Sequence, residues 1–469
     1  MEKHDLIVIG GGPGGYPAAI RAAQLGASVA LVEKERVGGT CLNWGCIPTK
    51  TLIASAHLFR MVRNADAFGL RVRDAEMDYS AMVLRKDKVV DKLRGGVEQL
   101  LKANGVTLIR GEAAFQARNR LAVTSGGHEI QVEAGRVIIA TGSAPARIPG
   151  LPESPAIEDS RSFLGRAGLP RSLIVLGGGV IGCEFACMAA GLGVRVTVVE
   201  LLEDLLTIAD ADVRGEMRSH MEKQLGITVL TGQPLEAVEA DGSGVKGRVG
   251  SQALQAECLL VAVGRKPHTG GLGLDKAGVR TGEKGFIAID DGCRTSAASV
   301  YAVGDVTGWS QLAHAATAQG LAAAENACGG RASLKGRVVP SCIFTDPEIG
   351  LAGLTEQEAR KQGRAVKTGK FPFAALGRAL ASGESSGFVK WIVDAATGQL
   401  LGAQAVGLNA TELIGEAALA IQAELTSVEI ARAIHAHPTL SEAWMEAAHA
   451  VQGECIHAAP RRNKKKGLQ

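Results

Sequence analysis

The chain opens with a four-residue apolar run, Leu6-Ile7-Val8-Ile9, set between polar residues on one side and glycines on the other. A short, continuous apolar run bounded in this way predicts a strand buried on both faces. After Gly10 to Gly15 comes PAAIRAAQLGA, whose alanines and leucine read as a helix that stops near Gly26. Ser28 to Val32 predicts a second strand, ending at Glu33. The result is a βαβ unit with Gly10, Gly12 and Gly15 in G-x-G-x-x-G order and an acid 23 positions after the first glycine. The pattern returns later, with Ser172 to Leu176 as strand, Gly177, Gly179 and Gly182 as glycines, and a helix to about Leu192. Val194 to Val199 then lead to Glu200, again 23 residues beyond the first glycine of its set.

A single G-x-G-x-x-G is a weak signal, because any glycine-rich turn can mimic it. Two copies, each in a strand-loop-helix-strand-acid context, point to two dinucleotide sites. The glycines let the backbone turn tightly and approach a pyrophosphate, while the helix N-terminus that follows offers unpaired N–H donors and partial positive charge. Glu33 and Glu200 are each suited to accept hydrogen bonds from a ribose 2′-hydroxyl. The residues after Glu200 read Leu-Leu-Glu-Asp, with no arginine to neutralise a 2′-phosphate, so NAD rather than NADP is expected at the second site.

Two further glycine-ended strands, Val137 to Gly142 and Leu259 to Gly264, can each close one of these units. The proline-rich PARIPGLPESP at 145 to 155 reads as a linker, and Ser299 to Val303, ending in Gly304-Asp305, as a return to the first unit. From Val338 onward the pattern changes to strands at Phe388 to Val393 and Leu400 to Val406 and helices at Leu413 to Leu425 and Ser427 to Ala433. That is an α+β module. The run Arg461-Arg462-Asn463-Lys464-Lys465-Lys466 reads as a solvated end.

Composition acts mainly by exclusion. With 51 Lys+Arg against 48 Asp+Glu, the formal charge of +3 gives no basic excess, and no nucleic acid partner is expected. A hydrophobic fraction of 46% and the lack of a G-X-Y period exclude disordered and collagen-like classes, while 61 glycines suit a chain built on nucleotide-binding turns. At roughly 150 residues per domain, the length predicts about three domains. Leu6 to Ile9 is too short for the apolar region of a signal peptide, and no apolar run approaches the ~20 residues of a membrane span, so a cytoplasmic chain without membrane contact is expected. Nine scattered cysteines, an odd number, do not form a secreted disulfide framework.

Two of those cysteines lie five positions apart in GGTCLNWGCIPTK, directly after the first βαβ unit. On a near-helical path Cys41 and Cys46 can meet, and such a pair beside a dinucleotide unit is redox-active, metal-binding or simply buried. Metal is the poorer reading, because no second cysteine or histidine pair with zinc spacing stands nearby. Far along the chain, HAHPTLSE sets His437 five residues before Glu442. An imidazole titrating near neutrality can take a thiol proton, and a carboxylate can hold its tautomer, although a His/Glu pair alone is usually a surface contact.

Together these segments resemble the pyridine nucleotide-disulfide oxidoreductase family from Asp5 to about His457. The markers are the GGTCLNWGCIPTK run, both glycine fingerprints, Tyr301-Ala302-Val303-Gly304-Asp305, Pro340 to Gly350 and HAHPTLSE. The resemblance implies an α/β chain with two Rossmann-like dinucleotide-binding domains, for FAD and NAD, and a C-terminal α+β dimerisation domain. On that pattern residues 1–147 begin the FAD domain, 148–268 form the NAD domain, 269–337 complete the FAD and central part, and 338–469 form the interface domain.

The resemblance also implies roles. FAD would lie on Gly10, Gly12, Gly15, Glu33, Thr40, Thr141 and Gly142, with Asp305, Leu312, Ala313 and His314 at its ribityl and pyrophosphate region. Lys50 would stand near the flavin with Glu184 as its partner. NAD would occupy Gly177, Gly179, Ile181, Gly182, Glu200 and Gly264. Cys41 would be the thiol that exchanges with substrate and Cys46 the one against the flavin, while His437, set by Glu442, would act as acid/base from the other subunit of a homodimer. The implied reaction is oxidation of protein-bound dihydrolipoamide by NAD⁺, with lipoyl domains of 2-oxo acid dehydrogenase complexes or the glycine cleavage H protein as partners and no metal.

A glutathione-reductase-like enzyme using NADPH is the nearest alternative, and Glu200 counts against it. Mercuric reductases carry a C-terminal vicinal cysteine pair, whereas Cys455 has no neighbouring cysteine. An inactive flavin-binding scaffold is at odds with the intact set of Cys41, Cys46, His437 and Glu442. Trp44, Thr49 and Gln311 depart from the usual family residues, and none of them removes a reacting group.

Overall fold

The computed structural model describes residues 2–459, so the basic run from Arg461 to Lys466 lies outside them. The first apolar run forms the strand Glu2–Ile9, central in a seven-stranded sheet. Val29–Glu33 pairs with it in parallel on one side, with Leu6 opposite Val29, and His128–Ile139 does so on the other. Every residue of Val29–Glu33 is buried, the expected state of a parallel strand with both faces covered. Thr107–Arg110 extends the parallel part, whereas Glu112–Ala117 and Arg120–Ser125 join as an antiparallel meander. Val300–Ala302 pairs in parallel with His128–Ile139, so the chain does return to this sheet.

The second fingerprint stands in a five-stranded parallel sheet ordered Thr228–Thr231, Arg195–Glu200, Ser172–Leu176, Cys258–Val261 and Ile157–Asp159. In both sheets the glycine-ended strand predicted to close the unit lies directly beside the fingerprint strand. The segment read as a linker, 145 to 155, holds no helix or strand beyond its first residue, Pro145, which ends the short strand Ser143–Pro145 paired antiparallel with Arg265–Pro267.

Residues 341 to 407 build a five-stranded antiparallel sheet covered by the helices Ala410–Gln422 and Glu442–Gln452. Its core centres on Trp391 and Trp444, fully buried with ring centroids 4.6 Å apart. Both indole N–H groups are satisfied, by Trp444 O at 3.0 Å and Leu413 O at 3.1 Å. Lys390, also buried, reaches from this sheet to Asp210 and Asp212 of the second nucleotide-binding unit at 3.0 and 3.2 Å. Among the described residues no helix is long and apolar enough to cross a membrane.

Seven helices matter for the site. They are α1 (Gly15–Gln24), α2 (Gly39–Trp44), α3 (Cys46–Arg63), α4 (Tyr79–Ala103), α5 (Ser160–Leu164), α6 (Val180–Gly191) and α7 (Ala211–Lys223). α3 packs between α4 and α6, which brings the cysteine segment against the helix of the second fingerprint.

Candidate active site and nucleotide sites

The two glycine loops repeat each other closely. A Cβ on Gly10 would lie 2.4 Å from Ala140 O, and one on Gly177 would lie 2.5 Å from Ala262 O. A Cβ on Gly15 would meet Gly10 O at 1.8 Å, and one on Gly182 would meet Gly177 O at 1.9 Å. First and third glycines are therefore demanded by the protein's own packing. The middle ones are not: a Cβ on Gly179 meets nothing within 4 Å, and one on Gly12 only Gly39 Cα at 3.8 Å. Space kept clear at the mouth of a helix N-terminus, with no protein atom to fill it, fits a pyrophosphate at each loop. Glu33 accepts from Gly11 N at 2.7 Å and Glu35 N at 2.7 Å, and Glu200 from Gly178 N at 2.6 Å and Leu202 N at 2.8 Å. Each carboxylate is thus fixed at the lip of its loop by backbone, and each oxygen keeps a lone pair for a ribose hydroxyl.

The sulfur segment starts on the first of these loops. Gly38 N donates to Gly11 O at 2.7 Å, and Gly39 packs so closely that a Cβ there would lie 2.7 Å from Gly12 Cα. Asn43 then holds the turn by donating to Val37 O and Gly39 O at 2.9 and 3.0 Å. Cys41 lies on α2, Thr40 beside it is exposed, and Cys46 is the first residue of α3. The contact between the two thiols is the main influence holding the Cys46 thiol below its ordinary value, with the Lys50 ammonium acting the same way against burial. Cys41 is pushed upward by the same contact and by burial. The helix N-terminus favours the same assignment, since it stabilises negative charge on Cys46.

Lys50 follows Cys46 by one turn of α3 and so shares its face. Its Nζ donates to both carboxylate oxygens of Glu184 on α6, at 2.9 and 2.8 Å, and stands 4.7 Å from the centre of the Phe344 ring. Glu184 is only 3% exposed and also accepts from Phe344 N at 2.9 Å. The pair joins the sulfur helix to the second fingerprint helix, with Ile181 one turn earlier, half-buried on α6.

Thr141 and Gly142 tie the end of the first sheet to residue 268: Thr141 Oγ1 donates to His268 O at 2.7 Å and His268 N to Gly142 O at 2.9 Å. Gly264, at φ +116°, accepts from Ala146 N at 2.9 Å. Asp305 accepts from Ser143 Oγ at 2.5 Å, and Arg265 donates to Ser143 Oγ and Ser143 O, both at 2.7 Å. Sequence reasoning missed Ser143 and Arg265, although Arg265 is the residue after the glycine it singled out. Leu312 precedes the helix Ala313–Ala327, whose Thr317 donates to Pro13 O at 3.0 Å, setting its start against the first loop. His314 bonds Pro340 O at 2.6 Å. Tyr16 on α1 was also missed. Burial, and then the charge of Cys41, push its hydroxyl pKa upward.

His437 Nδ1 lies 2.9 Å from Glu442 Oε1, and Glu442 Oε2 accepts from Thr439 N at 2.8 Å. Burial works to raise the Glu442 pKa, but the Thr439 N–H and His437 hold it below the usual carboxylate value. A carboxylate on Nδ1 leaves Nε2 free as the base. The imidazole is 78% exposed, and among the described residues no hydrogen bond or ion pair joins it to Cys41 or Cys46. Within one chain the His437–Glu442 pair and the sulfur pair are not joined by any hydrogen bond or ion pair among the described residues.

Residues 4–320 match the family model of the pyridine nucleotide-disulphide oxidoreductases, and residues 339–448 match that family's dimerisation domain. The chain belongs to the pyridine nucleotide-disulphide oxidoreductase family, and the matched dimerisation domain makes it a homodimer. It is 42% identical over 460 residues to a dihydrolipoyl dehydrogenase of Chlamydia pneumoniae, covering 98% of this chain and 99% of that one. To a dihydrolipoyl dehydrogenase of Thermus scotoductus it is 45% identical over 464 residues, covering 97% and 99%. Among solved structures, LpdA from Mycobacterium tuberculosis superposes with a TM-score of 0.89 at 30% identity over 96% of this chain and 99% of that chain. The HOCl-induced flavoprotein disulfide reductase RclA from Escherichia coli, as its Cu(II) complex, gives 0.87 at 29% identity over 96% and 99%.

Proposed function

We propose that this chain acts as a dihydrolipoyl dehydrogenase, oxidising protein-bound dihydrolipoamide with NAD⁺ through Cys41 and Cys46. The observation that carries the reading is the sulfur pair itself: two cysteines whose thiols act on each other, set on the first nucleotide loop and beside the half-buried Lys50 and its buried partner Glu184. Full-length relatives of that activity support it.

FAD would be held by Gly10, Gly12, Gly15, Glu33, Thr40, Lys50, Thr141, Gly142, Asp305, Leu312, Ala313 and His314, with Glu184 as the partner of Lys50, and NAD by Gly177, Gly179, Ile181, Gly182, Glu200 and Gly264. The chemistry supplied by bound FAD is two-electron transfer between thiols and a nicotinamide. A lipoyl thiolate attacks Cys41 Sγ of the Cys41–Cys46 disulfide, forming a mixed disulfide and releasing Cys46 as a thiolate stabilised by Lys50. The second lipoyl thiolate then closes the lipoyl disulfide and frees Cys41, leaving two electrons on the dithiol. His437 of the second subunit, oriented by Glu442, takes the protons the lipoyl thiols must lose.

The domains divide at 147, 268 and 337, lipoyl domains of 2-oxo acid dehydrogenase complexes or the glycine cleavage H protein are the partners, and the setting is cytoplasmic. The test uses the purified protein: flavin absorbance, then NAD⁺ reduction with dihydrolipoamide against glutathione as donor. Yellow protein that prefers dihydrolipoamide and NAD⁺ is expected. Colourless protein, or preference for glutathione with NADP⁺, overturns the reading.

A further inference from the structure

Trp44 is the last residue of α2 and stands two positions before Cys46. Its ring is covered by Arg161, whose Cζ lies 3.9 Å from the ring centre. Arg161 comes from α5, at the edge of the second sheet, and that helix start is fixed: Asp159 accepts from the N–H groups of Arg161 and Ser162, both at 2.9 Å. The guanidinium continues to Glu35 at 3.4 and 3.1 Å. Glu35 in turn is anchored to the end of the first sheet, because its N–H donates to Glu33 at 2.7 Å.

We propose that Trp44, Arg161 and Glu35 form a clasp between the two nucleotide-binding sheets that fixes where the Cys41–Cys46 segment sits, making Trp44 and Arg161 positioning residues for the sulfur pair. The proposal rests on the reading of those cysteines as the redox pair. Arg161 and Glu35 neutralise each other, so the clasp acts on the sulfurs by position rather than by charge. The link from Trp44 to Cys46 has little slack: a Cβ on Gly45 would already lie 3.0 Å from Thr40 O and 3.4 Å from Cys41 Cα. Only Gly45 separates Trp44 from Cys46, so it is through this one tightly packed residue that the clasp acts on the sulfur. Trp offers a cation the best of the aromatic faces, and without the ring Arg161 keeps only an exposed ion pair, which is a weak tether.

The experiment is the dithiol–disulfide equilibrium of the holoenzyme in dithiothreitol buffers, read by thiol alkylation, with thermal melting as a check on folding. Trp44→Leu is expected to favour the dithiol by roughly threefold to tenfold, because loosened sulfurs meet less often. Trp44→Phe keeps a ring and should stay within about twofold of wild type. Arg161→Ala should shift the equilibrium the same way as Trp44→Leu, and the double variant should go no further than either single one, as groups acting as a unit do. An unshifted Trp44→Leu, a Trp44→Phe as impaired as Trp44→Leu, or additive effects in the double variant overturn the clasp. A wild-type protein with no dithiol–disulfide transition overturns the redox-pair reading itself, and the clasp with it.

Discussion

Replacing Glu184 by glutamine keeps the side chain's shape and removes its charge, which isolates the part the carboxylate plays at the sulfur pair. In the wild type, Lys50 Nζ donates to both oxygens at 2.9 and 2.8 Å, and Phe344 N donates to one of them at 2.9 Å. The amide can still accept from Phe344, so the loss falls on the ion pair. Breaking a fully buried pair costs about 3–5 kcal/mol. Here the lysine side chain is 30% exposed, and water recovers part of that, so a loss of about 1–3 kcal/mol and a melting point lower by a few degrees are expected. The effect on chemistry runs the other way. Glu184 raises the Cys46 thiol and Lys50 lowers it, so Glu184→Gln leaves the ammonium unopposed and the thiol titrates lower. Below that titration the reactive thiolate, and with it the alkylation rate, should rise roughly threefold to tenfold. Lys50→Met removes the cation and leaves the carboxylate, so the thiol titrates higher and the rate falls by a similar factor. The assay is the rate of iodoacetamide alkylation of the reduced protein against pH, whose first apparent pKa belongs to the two sulfurs jointly. Shifts of the same sign in both variants, or no shift in either, would refute the claim that this pair sets the charge at Cys46.

The glycine loops separate folding from binding. Gly182→Ala puts a Cβ 1.9 Å from Gly177 O and should cost about 3 kcal/mol or more, whereas Gly179→Ala, at φ −77° with nothing within 4 Å, should fold and keep its flavin but raise the KM for NAD⁺ at least about tenfold. Steady-state kinetics beside a thermal melt decide this, and normal NAD⁺ binding by Gly179→Ala counts against a pyrophosphate at that loop. Lys390→Met should cost about 3–5 kcal/mol at neutral pH, since it takes the cation from buried Asp210 and weakens the hold on Asp212 and Glu356. Burial works against Asp212 ionising, yet Lys390 and Lys370 hold its carboxyl below the ordinary value. The stability it contributes is therefore present above its unfolded pKa and lost as pH falls through the depressed folded one, so the gap between wild type and variant should narrow below about pH 4. A gap in denaturant midpoint that is constant with pH would contradict the ionic account. His437→Gln should lose lipoamide-linked turnover far more than NADH-to-dye electron transfer, and equal losses in the two assays would remove the acid/base role.

Both fingerprints are legible in the sequence because their signal is local: a strand, three glycines at fixed spacing, a helix and an acid all fall within one short stretch of chain. The strand Ser172–Leu176 has the bounds its apolar run predicts, and the next one, expected over Val194 to Val199, runs Arg195–Glu200, one position further along. The long helices α3 and α4 and the meander from Glu236 to Ala256 leave no comparable mark. Mixed polarity without a strict period hides a helix such as α4, and the meander's strands are half-exposed. Trp44 is visible in the sequence only as a residue larger than usual, and its partner Arg161 lies 117 positions away.

Local chemistry is written in the order of residues: where backbone can approach a phosphate, which acid ends each fingerprint, and which residue types are able to exchange sulfur, accept a proton or carry charge. Those follow from short-range geometry, since glycine spacing and helix capping are settled within a few residues. Which of these groups meet is settled only when the chain folds. Folding puts Lys50 on Glu184, Arg265 on Ser143 and Arg161 on Trp44, and it leaves His437 on an exposed loop, not joined to Cys41 or Cys46 of its own chain by any hydrogen bond or ion pair among the described residues. Such pairings depend on how separate sheets pack, and packing is set by the sum of many weak apolar contacts that no short stretch of sequence records.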